Sequence, residues 1–254
     1  MTPSLNILWM YPDLLNLHGD RGNAMALARV CSQAGVDATI TRVNRLGDAV
    51  DLGAADMILF GAGELAVMPD IVAALTPLRS QLEQAIDDGL PVFVTGTSAA
   101  LMARRVTRLD GSSFAGLGLL SMDVAERQQI YGDDLIVQAG NDEFGGMQVR
   151  MTNLVLDAGQ APFARVLYGM GNDQDHGDTE GARRVNLIAT NLLGPALTKN
   201  PWLAWQLIAA ATQRKGTPAD APDEATWLRE RQANAAIRQF NATKQTPPGV
   251  LRNL

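Results

Sequence analysis

Between residues 5 and 104 the chain alternates short apolar runs with stretches of helical periodicity, and this alternation restricts it to a small set of folds. Leu5–Tyr11 is an apolar run stopped by Pro12. Gly22–Ala34 places Leu27, Val30, Cys31 and Ala34 on one helical face, and Gly35 ends it. Asp37–Val43 alternates in strand fashion, and Ala55–Phe60 is a second apolar run, closed by Gly61-Ala62-Gly63. Pro77 suits the first turn of a helix whose face carries Leu78, Leu82, Ala85 and Ile86, with Gly89 as the stop. Pro91–Val94 reads as a further buried strand, and a helix is predicted through Ser98–Arg104. Strands that are apolar throughout need cover on both faces, which crossover helices supply in parallel sheets. The expectation is an α/β fold built of βαβ units on a mainly parallel sheet.

From Gly116 to Tyr168 the pattern changes to short strand-like pieces, Leu135–Gln138, Met147–Met151, Asn153–Leu156 and Arg165–Tyr168, which suit an antiparallel portion. Asn186–Thr190 reads as the last strand and Trp202–Ala211 as a helix. Gly216–Pro222 is a linker, and Glu224–Thr243 a polar helix with a modest stripe of Trp227, Leu228, Ala235, Ile237 and Phe240. That stripe suits packing on its own domain and docking to a partner equally well. The division is therefore residues 1–215 as one domain and 216–254 as linker and C-terminal helix, with a helical end to the chain.

The chain has one cysteine and two histidines in 254 residues. Three such residues cannot close a four-ligand zinc site, and a lone cysteine makes no internal disulfide. A Cys–His catalytic pair could only join Cys31 to His18 or His176, and Cys31 sits on a core helix face, where a packed thiol is expected. A net charge of −6 argues against a nucleic-acid partner, and no apolar run is long enough for a membrane span. The expected location is the cytoplasm, because the N-terminus has no signal-peptide pattern and cysteine is scarce. No cofactor or metal site is expected.

Ligands of parallel α/β sheets sit where strands hand over to helices, and three such turns stand out. Gly61-Ala62-Gly63-Glu64 could bring backbone N–H groups to an oxyanion or ligand; its plain alternative is a flexible turn. Val94-Thr95-Gly96-Thr97-Ser98 has the outline of a nucleophile elbow. Thr95 stands directly after the strand, and Gly96 is the residue suited to positive φ. The competing reading has Thr95 or Ser98 simply capping the helix. Thr190-Asn191-Leu192-Leu193-Gly194-Pro195 ends the last strand.

These turns, with Tyr11-Pro-Asp-Leu-Leu-Asn-Leu-His-Gly-Asp-Arg-Gly-Asn23 and the stretch from Asp178 to Pro201, resemble the cobyric acid synthase-type glutamine amidotransferases. Within that family the similarity is to the glutaminase subunits of lipid II isoglutaminyl synthase, and it runs from about residue 5 to 215. The resemblance implies a class I glutamine amidotransferase-like fold, a flavodoxin-like three-layer sheet with helices on both faces, and hydrolysis of the glutamine side-chain amide by a Cys at the elbow and a His after the last strand. It also implies a Mur ligase-like, ATP-using partner that completes the triad and takes up the ammonia.

The chain departs from the family where the chemistry lies. The family's I-C-G-G-Y-Q appears as Val94-Thr95-Gly96-Thr97-Ser98-Ala99, and its G-T-Y-L-H-G-P as Ala189-Thr190-Asn191-Leu192-Leu193-Gly194-Pro195. Its G-G-G-Q-D has become Gly61-Ala62-Gly63-Glu64-Leu65, and its G-x-E-N-H-G-G appears as Gly140-Asn-Asp-Glu-Phe-Gly-Gly146. A substrate-facing arginine matches Arg127 only with a shift of about two residues. Thr95 thus takes the nucleophile position and Leu193 the base position. A threonine hydroxyl needs an adjacent base, and leucine is none. The reading is a pseudo-glutaminase that binds or regulates a Mur ligase-like partner, with glutamine or another small ligand in its vestigial pocket. The alternatives are a hydrolase or amidotransferase working through Thr95 or Ser98 with His176 swinging in, and an amidotransferase whose partner supplies the missing groups. His18 and His176 otherwise read as loop histidines, and Asp173, Asp175 and Asp178 as at most a weak cation site.

Overall fold

A computed structural model describes residues 2–173 and 178–243. His176 and Asp175 lie outside them. The chain begins β1 (Ser4–Met10), α1 (Arg21–Gln33), β2 (Asp37–Val43), β3 (Met57–Phe60), α2 (Met68–Leu75), α3 (Arg79–Asp87), β4 (Val92–Thr95) and α4 (Ala99–Met102). A second group follows: β5 (Arg105–Thr107), β6 (Ser113–Ala115), β7 (Met122–Ala139), β8 (Asp142–Leu156), β9 (Ala164–Tyr168) and β10 (Thr179–Glu180). The chain then returns through β11 (Ala182–Arg184), β12 (Leu187–Thr190), α5 (Ala196–Lys199), α6 (Pro201–Arg214) and α7 (Leu228–Ala242).

The first sheet has the order β11-β12-β4-β3-β1-β2. All its neighbours are parallel except β11, which runs antiparallel to β12 at one edge. Alternation along each strand sends successive side chains to opposite faces. Leu8, Met10, Ile58, Phe60, Val92 and Val94 enter one core with α2, α3 and α4. Ile7, Trp9, Met57, Leu59 and Phe93 enter the other with α1 and α6. This double burial accounts for the continuous apolar runs.

The second sheet, β10-β9-β7-β5-β6 with β8 on β7, supplies the antiparallel portion expected after Gly116 and is as large as the first, so the strands as a whole are mixed rather than mainly parallel. Its pairings are antiparallel apart from β5 with β7. The separate strand pieces expected between residues 135 and 156 belong to one long hairpin, β7–β8, whose register breaks between Glu126 and Tyr131. Met122, Val124 and Leu154 pack in the first core, whereas Leu135, Val137 and Phe144 pack in the second. The hairpin therefore passes from one face of the first sheet to the other, and its polar middle reads in sequence as a gap. The short helix α2, with Pro69 in its first turn, also went unread in the pattern, and the helix expected through Arg104 ends at Met102.

The C-terminal helix lies against its own domain, and mostly by polar contacts. Trp227, in a 3-10 turn ahead of α7, is buried. Glu230 meets Arg29 at 2.8 Å, Arg231 lies 4.1 Å above the Trp202 ring, and Arg238 pairs with Glu143. Asn234 donates to Asn200 at 2.9 Å and Asn241 to Asp134 at 3.0 Å. The expected apolar stripe is not what seats the helix: Leu228 and Phe240 are exposed.

Candidate active site

β12 and β4 run in register to their ends, Thr190 beside Thr95, and β3 lies on the other side of β4 with Phe60 beside Val94. Their following turns therefore converge. Thr95 keeps an extended backbone at φ −115, and Gly96 takes the left-handed conformation at φ +57. A β-branched residue resists positive φ, so the glycine carries the bend.

Leu193 closes the space above that bend. A Cβ on Gly96 would lie 3.1 Å from Leu193 Cδ2 and 3.1 Å from the Ala62 methyl, so the leucine side chain sits on the elbow. The Leu193 backbone is clamped to β8, donating to Met147 O at 2.8 Å and accepting from Met147 N at 3.2 Å. Gly145-Gly146 permits this approach, because a Cβ on Gly146 would come within 2.9 Å of Leu192 Cδ2. Thr95 and Ser98 are wholly buried and Leu193 is only 2% exposed.

The hydroxyls are committed inward. Thr95 Oγ1 donates to Asp20 Oδ1 at 2.7 Å, and Ser98 Oγ to Gly61 O at 2.5 Å. Neither caps the helix that follows. Thr97 Oγ1 donates to Gly63 O and accepts from Gly63 N. The Ala62 N–H donates to Asp20 Oδ2 at 3.0 Å. So the N–H groups of Ala62 and Gly63 both already have protein acceptors. A Cβ on Gly61 would lie 2.2 Å from Leu15 O and 2.6 Å from Asp20 Cβ, so this turn needs glycine to meet the first loop.

Asp20 is the organising residue that pattern reasoning passed over. It stands at the N-cap of α1, yet its side chain does not cap the helix. It is 2% exposed and also accepts from Asn23 Nδ2 at 3.2 Å. Burial pushes its carboxyl up, against the opposing hydrogen bonds from Thr95, Ala62 and His18. His18 is half-buried, and it is its backbone N–H, not its imidazole, that the Asp20 carboxyl accepts from. That is not the nucleophile–imidazole contact of a triad. The only signal for Asp20 in the sequence is its place in the Gly-Asp-Arg-Gly stretch.

Below the last turn lies a second polar cluster. Glu180 is fully buried and accepts from Thr190 Oγ1 at 2.6 Å, Asn191 N at 2.7 Å and Asn191 Nδ2 at 2.8 Å. Burial raises its carboxyl too. Arg150, 2% exposed, is pulled down to about 10, first by burial and then by the neighbouring Arg127 charge. Arg127 reaches Asn153 Oδ1 at 2.7 Å and so joins this cluster through Asn153, which Arg150 also meets. Cys31 is buried on α1, its thiol pushed up to about 12 by burial. A thiol so far from ionising is inert.

No family model matches the chain. It is 26% identical over 217 residues to the "Lipid II isoglutaminyl synthase (glutamine-hydrolyzing) subunit GatD" of Staphylococcus aureus (strain N315), covering 84% of this chain and 87% of that one. The protein of the same name from Streptococcus pneumoniae (strain ATCC BAA-255 / R6) is 27% identical over 215 residues, 83% of this chain and 82% of that one. Among solved structures, a crystal structure of a glutamine amidotransferase superposes with a TM-score of 0.53 at 19% identity, covering 80% of this chain and 98% of that one. PurLQS from Thermotoga maritima gives 0.50 at 14%, covering 76% and 87%. The chain has a glutamine amidotransferase fold. Among the described residues no helix is long and apolar enough to cross a membrane.

Proposed function

We propose that this chain is a glutamine amidotransferase-like subunit, of the cobyric acid synthase-type branch, that serves lipid II amidation without hydrolysing glutamine itself. Its role in this reading is to bind and position, or regulate, a Mur ligase-like, ATP-using partner in the cytoplasm. The relatives named above support the assignment to lipid II. The observation that carries the loss of activity is Leu193, which lies on Gly96 where an imidazole would have to stand. Thr95 adds to it, since its hydroxyl is buried and bonded to Asp20 rather than to a base that faces substrate. A general base must come within hydrogen-bond reach of the proton it removes, directly or through one water. Asp20 does, but the hydroxyl it would activate has no opening to substrate. The Ser98 hydroxyl is likewise turned onto Gly61 O.

The test is ammonia release from glutamine by the purified chain, alone and mixed with a Mur ligase-like protein recovered by affinity capture from the native cell. The expected result is capture of that partner and no ammonia in either mixture. Ammonia release that disappears on Thr95→Ala would overturn the loss of activity. Capture without any Mur ligase-like protein would overturn the partnership.

A further inference from the structure

We propose that the groove between α1 and the carboxyl ends of β1 and β2 binds a small organic anion with a flat apolar body. This goes beyond the reading above and does not depend on it. The cavity measures about 430 Å³. Its floor is apolar, with Trp9 and Ile40 from the strands and Met25 from α1, while its polar groups are mostly donors.

Trp9 forms part of the floor: its side chain is 6% exposed and lines the cavity, while its indole nitrogen lies beneath the surface. The Arg42 guanidinium lies 5.4 Å above the centroid of the same ring. Its anionic partner is Asp13 at 3.3 Å, an aspartate whose side chain is 68% exposed and therefore easily exchanged. Arg21, from the first turn of α1, also lines the groove, and no carboxylate among the described residues pairs with its side chain. The Arg21 backbone N–H donates to Asn16 Oδ1 at 2.9 Å, which occupies the oxygen of that amide and leaves its NH₂ as a donor.

The groove thus offers two guanidinium groups and an amide NH₂ against one loosely held carboxylate. In a chain of net charge −6 this is a local reversal of sign. Guanidinium forks match carboxylate and phosphate oxygens. The indole floor suits an aromatic ring or other planar body. The ends of parallel strands are where α/β sheets hold ligands. Asp20, one residue before Arg21, faces the other way into the closed turn, so the groove is separate from the vestigial site. An aromatic carboxylate and an aromatic phosphate monoester share the required chemistry.

The experiment is calorimetric titration of the full chain with phenyl phosphate, benzoate, inorganic phosphate and benzyl alcohol. Expected is saturable one-to-one binding of phenyl phosphate or benzoate, weaker binding of inorganic phosphate and none of the neutral alcohol. The tighter of the two aromatic anions identifies the phosphate or the carboxylate class. Arg21→Gln and Arg42→Gln should each weaken binding about tenfold. Asp13→Asn removes the competing carboxylate and should tighten binding, an outcome that a misfolded variant cannot give. Absence of saturable binding by both aromatic anions would overturn the proposal. So would affinity that ignores Arg21→Gln while Asp13→Asn leaves it unchanged.

Discussion

Replacing Asp20 with alanine tests whether one buried carboxylate holds the closed turns together. Asp20 accepts from the Thr95 hydroxyl, the Ala62 N–H and the Asn23 amide. Alanine strands the Ala62 and Asn23 donors in a place that water does not reach and leaves Thr95 only a long contact to Phe60 O at 3.4 Å. Each buried donor left unsatisfied costs about 1–3 kcal/mol. Removing the carboxylate also returns the cost of burying it, the same desolvation that raises its pKa. Net of that relief, a loss of about 2–4 kcal/mol is expected for Asp20→Ala. Asp20→Asn keeps one oxygen for Thr95 and Asn23 but turns its NH₂ toward the Ala62 N–H, so about 1–3 kcal/mol is expected. Urea unfolding at neutral pH reads both values. A loss below about 1 kcal/mol for the alanine variant, at an unchanged m-value, would refute the assignment of Asp20 as the organising residue.

The raised carboxyl of Asp20 predicts a pH dependence: its stabilising share is fully present below the ordinary value of 3.8 and is lost as pH rises through the higher folded value. The stability difference between wild type and Asp20→Asn should therefore widen on acidification from neutral toward pH 4, and a difference that narrows would contradict it. Leu193→Ala removes a side chain packed on Gly96 and should cost about 2–5 kcal/mol in chemical denaturation, a surface-like loss below about 0.5 kcal/mol counting against the closed elbow. Because Cys31 is the only cysteine and is inert, Thr95→Cys provides an accessibility probe. The new thiol should resist a thiol reagent in the folded protein and react once Leu193→Ala is added; immediate reaction in the single variant would show an open elbow. Asn234→Ala should cost about 1 kcal/mol and speed amide exchange at Gly145, since Asn234 holds the Asn200 side chain that accepts from Gly145 N at 2.9 Å.

Leu5–Tyr11, Ala55–Phe60 and Pro91–Val94 were legible as buried parallel strands because burial on both faces demands unbroken apolar character, a requirement that each segment meets locally. Gly96 was legible for a similar reason, since positive φ is a property of a single residue. The hairpin β7–β8 was not. Its Glu126–Ile130 stretch is polar and lies between the parts that pack in the two cores, so periodicity ends although the strand does not. The C-terminal helix was only half legible, because Arg231, Asn234 and Arg238 seat it, and polar residues on a helix look solvated until their partners are known.

For the site, the sequence by itself determined that Thr95 stands at the end of β4 and Leu193 after β12, with no cysteine and no histidine at those turns. Only the tertiary structure decided that the two turns are shut, with Leu193 lying on Gly96 and Asp20 binding Thr95 and Ala62 from 75 and 42 residues away. Residue identity is a local property that the chain carries in plain order. The acceptor that a buried hydroxyl finds is set by packing between distant segments, and no spacing in the sequence records it.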